Sequence, residues 1–87
     1  MKVQLKRYVK ERDEMLKKCD VTELRKFVNA HKEFYSPAFL TAINTASDDV
    51  LIVTLHKMIV NVPKLPAELR SKSAFWLISH GYSLQIN

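Results

Sequence analysis

The sequence predicts an all-α fold: a compact bundle of about five short helices with an apolar central fourth helix and a short C-terminal tail. Composition supports this, because the 87 residues include one glycine and three prolines, too few for many tight β-turns. Apolar residues also recur every three or four positions along most of the chain. Residues that commonly begin a helix occur between these stretches. We expect residues 1–87 to form a single helical domain.

The first helix is predicted over residues 2–19. Its apolar residues collect on an arc of about 120°, the width of a stripe that faces a core. The second helix starts after Asp20, which suits an N-cap and is followed three residues later by Glu23. Its apolar positions continue to Tyr35, and Arg25 falls on the opposite side.

The third and fourth helices follow two serine caps. The third is predicted over about 37–46, because Ser36 can cap it and Pro37 suits the first helical position. Ser47 opens the fourth helix, whose body, Val50–Val60, is the most apolar stretch of the chain. A run rich in valine and isoleucine is also typical of a buried strand. The acidic start and the helical spacing of the polar residues favour a central helix.

After a loop at 61–66, the fifth helix is predicted to run from about Pro66 to His80. Gly81 then occupies the left-handed position after the helix, and Tyr82 follows it as the apolar residue of a Schellman motif. This helix has an apolar side for the core and a second apolar side opposite. Core packing, the tail or a binding partner could each cover the second side, which consists of Ala67, Ala74, Phe75 and Ile78.

Large apolar residues that the core does not bury are typical of the anchor residues of binding sites. We therefore take the fifth helix and the tail as the candidate surface for a protein partner or for a second copy of the chain. The candidate contact residues are Phe75, Trp76, Ile78, Tyr82 and Leu84.

Positive charge suggests an alternative candidate surface. Residues 1–34 hold ten lysines and arginines against six acidic residues, whereas residues 35–87 hold four against three, for a net charge of +5. Four lysines line one side of the first helix over roughly 20 Å, which would suit a row of phosphates. Lysines on an exposed helix also serve solubility alone. The candidate nucleic-acid-binding residues are Lys2, Lys6, Lys10 and Lys17.

The sequence contains no arrangement that predicts catalysis. His31, His56 and His80 are expected to face inward, but none has a second ligand three or four residues away on its helix. Cys19 lies on the apolar arc at the end of the first helix, where a small buried residue is usual. A single glycine excludes a glycine-rich phosphate loop. We expect no catalytic residue, no metal and no cofactor.

Together these features predict a small basic protein that is not an enzyme and acts by binding, as an adaptor, subunit, regulator or inhibitor. The predicted partner is a protein or a second copy, and a nucleic acid or nucleotide is the alternative. The lone cysteine predicts a reducing compartment, and the charged N-terminal residues do not resemble a signal peptide. We therefore expect a cytoplasmic location without membrane contact.

Overall fold

Helices account for most of the described chain. A computed structural model describes the backbone of residues 2–85 and the side chains of residues 5–85. This part of the chain forms five α-helices and no strand, which confirms the predicted fold class. The helices are α1 (Lys2–Lys18), α2 (Val21–Ala30), α3 (Pro37–Thr45), α4 (Asp48–Val60) and α5 (Ala67–Ser79), with a 3₁₀ turn at Lys32–Phe34.

The predicted N-caps are confirmed. The Asp20 carboxylate accepts the backbone N–H groups of Thr22 and Glu23, at 2.7 and 3.2 Å. Ser36 and Ser47 each accept the N–H of the residue three positions later, at 3.1 and 3.4 Å. These contacts satisfy donors that the first turn of a helix leaves without a partner. Short polar residues between the apolar stretches thus determine where three of the helices begin.

The second helix ends earlier than predicted, at Ala30 instead of near Tyr35. The imidazole Nδ1 of His31 lies 2.9 Å from the carbonyl oxygen of Phe27. In a continuing α-helix that oxygen would accept the backbone N–H of His31, which instead bonds to Val28 at 3.2 Å. A side chain that competes for a backbone acceptor converts the end of a helix to 3₁₀ geometry.

Two helices end in left-handed residues. Gly81, at φ +80°, follows α5, and its N–H bonds to Ile78 while that of Tyr82 bonds to Leu77, at 3.1 and 2.9 Å. These two bonds define the predicted Schellman motif. Cys19, at φ +50°, ends α1 one residue earlier than predicted. A residue with a Cβ pays a conformational cost in this region, which favours glycine.

The fourth helix occupies the centre, as predicted. Leu51, Leu55 and Ile59 are buried along one side, and α4 packs against α1, α2 and α5. Contacts on several sides explain why this helix is apolar around most of its circumference. The buried apolar core comprises Met15, Leu16, Leu24, Phe27, Val28, Ile43, Leu51, Leu55, Ile59, Leu65 and Leu77.

Arg25, predicted on the side of α2 opposite its apolar positions, makes contacts with two other helices that the sequence did not indicate. Its guanidinium donates to the carbonyl oxygens of Ile43 and Ala46, at 3.4 and 2.7 Å, and to the carboxylate of Asp48, at 2.7 Å. Carbonyls at the end of a helix lack intrahelical donors. Arg25 supplies those donors at the end of α3 and pairs with the first turn of α4, so it joins three helices.

Candidate functional site

One side of α5 carries large apolar side chains that the described chain leaves uncovered. Phe75 is 74% exposed and Ile78 is 64% exposed. Spacings of three and four residues place both on one side of the helix with smaller residues. We call this surface the α5 outer face; it consists of Ala67, Ser71, Ala74, Phe75 and Ile78.

None of the five residues of the α5 outer face is charged, and residues 73–85 contain no lysine, arginine, aspartate or glutamate. Glu68 and Lys72, seven and three residues before Phe75, border the face. The other side of α5 differs, because Leu77 and Ser73 are buried there against the rest of the fold. A helix with a buried side and a second apolar side lacks the polar outer surface of an ordinary amphipathic helix.

The remaining predicted contact residues are less exposed or lie elsewhere. Trp76 is half-buried, and its indole stacks on the imidazole of His56 at 4.3 Å between ring centroids. Tyr82 is 45% exposed, with its ring nearly parallel to that of Trp76 at 6.3 Å. Leu84 is half-buried, and its carbonyl oxygen accepts a hydrogen bond from Asn61 at 2.9 Å. The described part of the tail therefore leaves the α5 outer face open.

The lysines of α1 belong to a wider basic surface. Lys6, Lys10 and Lys17 are exposed; the side chain of Lys2 lies outside the described residues. Lys64, in the connection between α4 and α5, lines one shallow groove with Lys6, Lys10 and Asp13. Lys72 of α5 lines a second groove with Lys17 and Glu68. We call this surface the basic strip; its members are Lys6, Lys10, Lys17, Lys64 and Lys72.

The three histidines occupy two separate environments. His56 and His80 both stack on Trp76, at 4.3 and 4.1 Å between ring centroids. His80 is exposed, so the prediction that it faces inward is wrong. His31 instead lies among the aromatic rings between α1 and α2. The described residues contain no group of three or more histidine, cysteine, aspartate and glutamate side chains that could hold a metal ion.

Tertiary packing places Cys19 near a histidine, which the sequence spacing did not indicate. The Sγ atom of Cys19 lies 4.0 Å from Nε2 of His56, whose Nδ1 lies 2.9 Å from the buried hydroxyl of Ser73. Burial, and then the charge of Asp20, raises the pKa of the Cys19 thiol. Burial, and then the charge of His80, lowers the pKa of His56. Both shifts favour a neutral thiol beside a neutral imidazole, the opposite of an activated nucleophile.

A second cluster surrounds an open pocket of about 320 Å³ between α1 and the 3₁₀ turn that follows α2. His31 faces acceptors at both ring nitrogens, the Phe27 carbonyl at 2.9 Å and the Glu11 carboxylate at 3.1 Å. The hydroxyls of Tyr8 and Tyr35 are 2.6 Å apart. Burial, and then this hydrogen bond, raises the pKa of Tyr35. Because the ring nitrogens and the paired hydroxyls already have partners, this cluster stabilises the packing of α1 on α2.

No protein family, curated protein or solved structure matches the chain in the comparisons. Among the described residues, no helix has the length and apolar character needed to cross a bilayer. The class that the fold defines is a small all-α protein, and its exceptional surfaces are the α5 outer face and the basic strip.

Proposed function

We propose that this chain is a non-catalytic interaction module that pairs with a second copy of itself through the α5 outer face. The observation that carries the proposal is the exposure of Phe75 and Ile78, at 74% and 64%, within residues 73–85, which contain no charged side chain. Isolated exposed apolar residues are ordinary, whereas adjacent large ones on one helix side are typical of interaction sites.

The charge distribution of the chain is compatible with a second copy as the partner. The chain carries a net charge of +5, so two copies repel each other at most surfaces. No residue of the α5 outer face is a lysine or an arginine. A contact centred on this face therefore needs no acidic residue from the partner to balance a positive charge. Charge-depleted apolar centres are typical of interfaces between identical subunits.

The distribution of large and small residues also favours self-pairing. Phe75 and Ile78 lie toward the C-terminal end of the face, whereas Ala67 and Ser71 lie toward its N-terminal end. In a two-fold pair with antiparallel α5 helices, the large residues of each copy lie over the small residues of the other. A two-fold interface requires such self-complementarity.

The size of the face predicts a weak or transient pair. Phe75 and Ile78 together expose roughly 250 Å², compared with roughly 800 Å² per partner in a standard stable interface. Neighbouring residues, including Tyr82, would enlarge the contact. We expect a dimer with a dissociation constant in the micromolar range or above, which suits an adaptor, subunit or regulator. The lone Cys19 thiol supports the cytoplasm as the proposed setting.

Sedimentation velocity over a range of concentrations tests the proposal. The wild type should shift from monomer to dimer, and Phe75→Asp should remain monomeric. Val50→Asp is the matched control, because Val50 is a 54% exposed residue in the first turn of α4, where a carboxylate is tolerated. A wild type that stays monomeric up to about 1 mM, where even a contact of about 4 kcal/mol would show, contradicts self-pairing.

A second variant separates self-complementary packing from general stickiness. Ser71→Phe enlarges the apolar surface but fills the space that would receive a large residue of the second copy. Overpacking of this kind weakens a fitted contact. We expect Ser71→Phe to weaken dimerisation at least tenfold. Stronger association of this variant would show that the face lacks a specific fit, and the paired arrangement would be abandoned.

A further inference from the structure

We propose that the basic strip is a second binding site, which takes the phosphate backbone of double-stranded nucleic acid without reading its sequence. This inference is independent of self-pairing, because the basic strip and the α5 outer face share no residue. The inference rests on tertiary packing, which places Lys64 and Lys72, from other segments of the chain, beside the lysines of α1.

The geometry of the strip is linear. Lys6, Lys10 and Lys17 stand on one side of α1, since steps of four and seven residues return to the same side of a helix. Eleven residues at 1.5 Å each separate Lys6 from Lys17 by roughly 16 Å. Lys64 lies across the first groove from this row and Lys72 across the second. Duplex DNA presents a phosphate charge about every 3.4 Å along each strand, so several phosphates fall within this length.

The lysines of the strip differ from many other cations of the chain in having no acidic partner. Among residues 5–85, none of the five forms an ion pair within 4.0 Å. Ion pairs elsewhere engage Arg7, Arg12, Lys18, Arg25 and Lys26. Unpaired ammonium groups are available to a ligand without the loss of an existing contact.

Two carboxylates in the grooves reduce the charge of the strip only in part. Asp13, in the first groove, is paired with Arg12 at 3.0 Å, so its charge is balanced within the protein. Glu68 is the carboxylate of the second groove. Five lysines outnumber the two other nearby carboxylates, Glu68 and the exposed Glu14, which lies four residues after Lys10, so the strip stays positive.

The side chains of the grooves favour a duplex over a single strand. Neither groove is lined by an aromatic residue, so unpaired bases have no surface on which to stack. Neither is lined by an arginine, the residue that most often reads guanine through paired hydrogen bonds. Lysines act as point charges toward phosphate. The expected binding is therefore electrostatic and independent of sequence.

Fluorescence anisotropy with a labelled duplex of mixed sequence, titrated at salt concentrations from about 20 to 200 mM, tests this site. We expect the logarithm of the binding constant to fall linearly with the logarithm of salt concentration, with a slope of about −4 if four or five phosphates are contacted. The double variant Lys10→Gln/Lys72→Gln, which removes one charge from each groove, should reduce the magnitude of that slope by about 2.

The matched control is Lys32→Gln/Lys57→Gln, which changes the net charge by the same amount outside the strip. If the control weakens binding as much as the strip variant does, net charge alone attracts the duplex and the proposed site is wrong. Absence of binding at the lowest salt concentration also overturns it. So does a clear preference for single-stranded DNA, or for vesicles of acidic phospholipid, over the duplex at equal phosphate concentration. Equal binding by Ser71→Phe and the wild type is expected, whether or not the copies pair.

Discussion

The fourth and fifth helices have the same length and each contains an apolar run, but their surroundings differ. Each has 13 residues. The fourth packs against α1, α2 and α5, whereas α5 packs chiefly against α4. Leu55 in α4 and Leu77 in α5 are both buried, but Phe75 is 74% exposed. A helix that is apolar on several sides is therefore buried only where other helices reach it.

This difference separates stability from binding. Apolar residues of α4 contribute to folding because the chain itself removes them from water. The apolar residues of α5 lie on two sides. Those on one side are buried and stabilise the fold, whereas those on the other side stay exposed and are available to another molecule. Substitutions at buried positions should therefore lower the stability of the fold, whereas substitutions on the α5 outer face should weaken association and leave stability nearly unchanged.

The largest effects are expected in the buried positions of the two helices. Leu55→Ala and Leu77→Ala should each lower the free energy of unfolding by about 2–5 kcal/mol, because they remove apolar contacts and leave a cavity. Chemical denaturation measures this loss. Val50→Ala, at an exposed position of α4, should change the free energy by at most about 0.5 kcal/mol. Equal losses at Leu55 and Val50 would contradict the central position of α4.

A smaller effect is expected from pH at the contact between the two helices. His56 of α4 bonds to Ser73 of α5, and burial followed by the charge of His80 lowers the pKa of His56 below its usual 6.5. The unfolded chain therefore takes up the proton at a higher pH than the folded chain, so this contribution to stability is lost as pH falls below about 6.5. Denaturation between pH 7.5 and 5.5 should show a smaller decline for His56→Gln than for the wild type. Parallel curves would show that His56 titrates alike in both states.

The smallest effect on folding is expected on the α5 outer face. Phe75→Ala should change the free energy of unfolding of the dilute monomer by at most about 0.5 kcal/mol, because little of its side chain is buried on folding. The same variant should weaken self-pairing in sedimentation. A loss of about 2 kcal/mol in the dilute monomer would mean that residues of this chain cover Phe75, and the comparison with α4 would fail.

Local signals in the sequence correctly predicted the helix boundaries that depend only on contacts within about one turn. Asp20, Ser36 and Ser47 cap helices, and Gly81 ends one, because each makes contacts with residues at most five positions away. The prediction failed at the end of α2, where His31 bonds to Phe27 and also to Glu11 of another helix. The periodicity of apolar residues does not show that the side chain of His31 contacts both its own helix and another one.

The candidate surfaces were predicted in part. The sequence indicated that α5 has a second apolar side, but it grouped Phe75 with Trp76, which is half-buried beside His56. It indicated the lysine row of α1 but not Lys64 or Lys72, which are distant in sequence from that row. The sequence did not indicate the contacts of Arg25, because helical position alone does not show that the open carbonyls of another helix lie opposite.

The helical class, the caps and the apolar centre in α4 are evident in the sequence, because they depend on spacing and on contacts within one or two turns. Which apolar and charged residues contact other segments depends on how the helices pack against one another. This packing leaves Phe75 and Ile78 uncovered, brings Lys64 and Lys72 to α1, and places Cys19 beside His56. The physical reason is that burial and electrostatic pairing depend on distances between helices, which a local pattern does not contain.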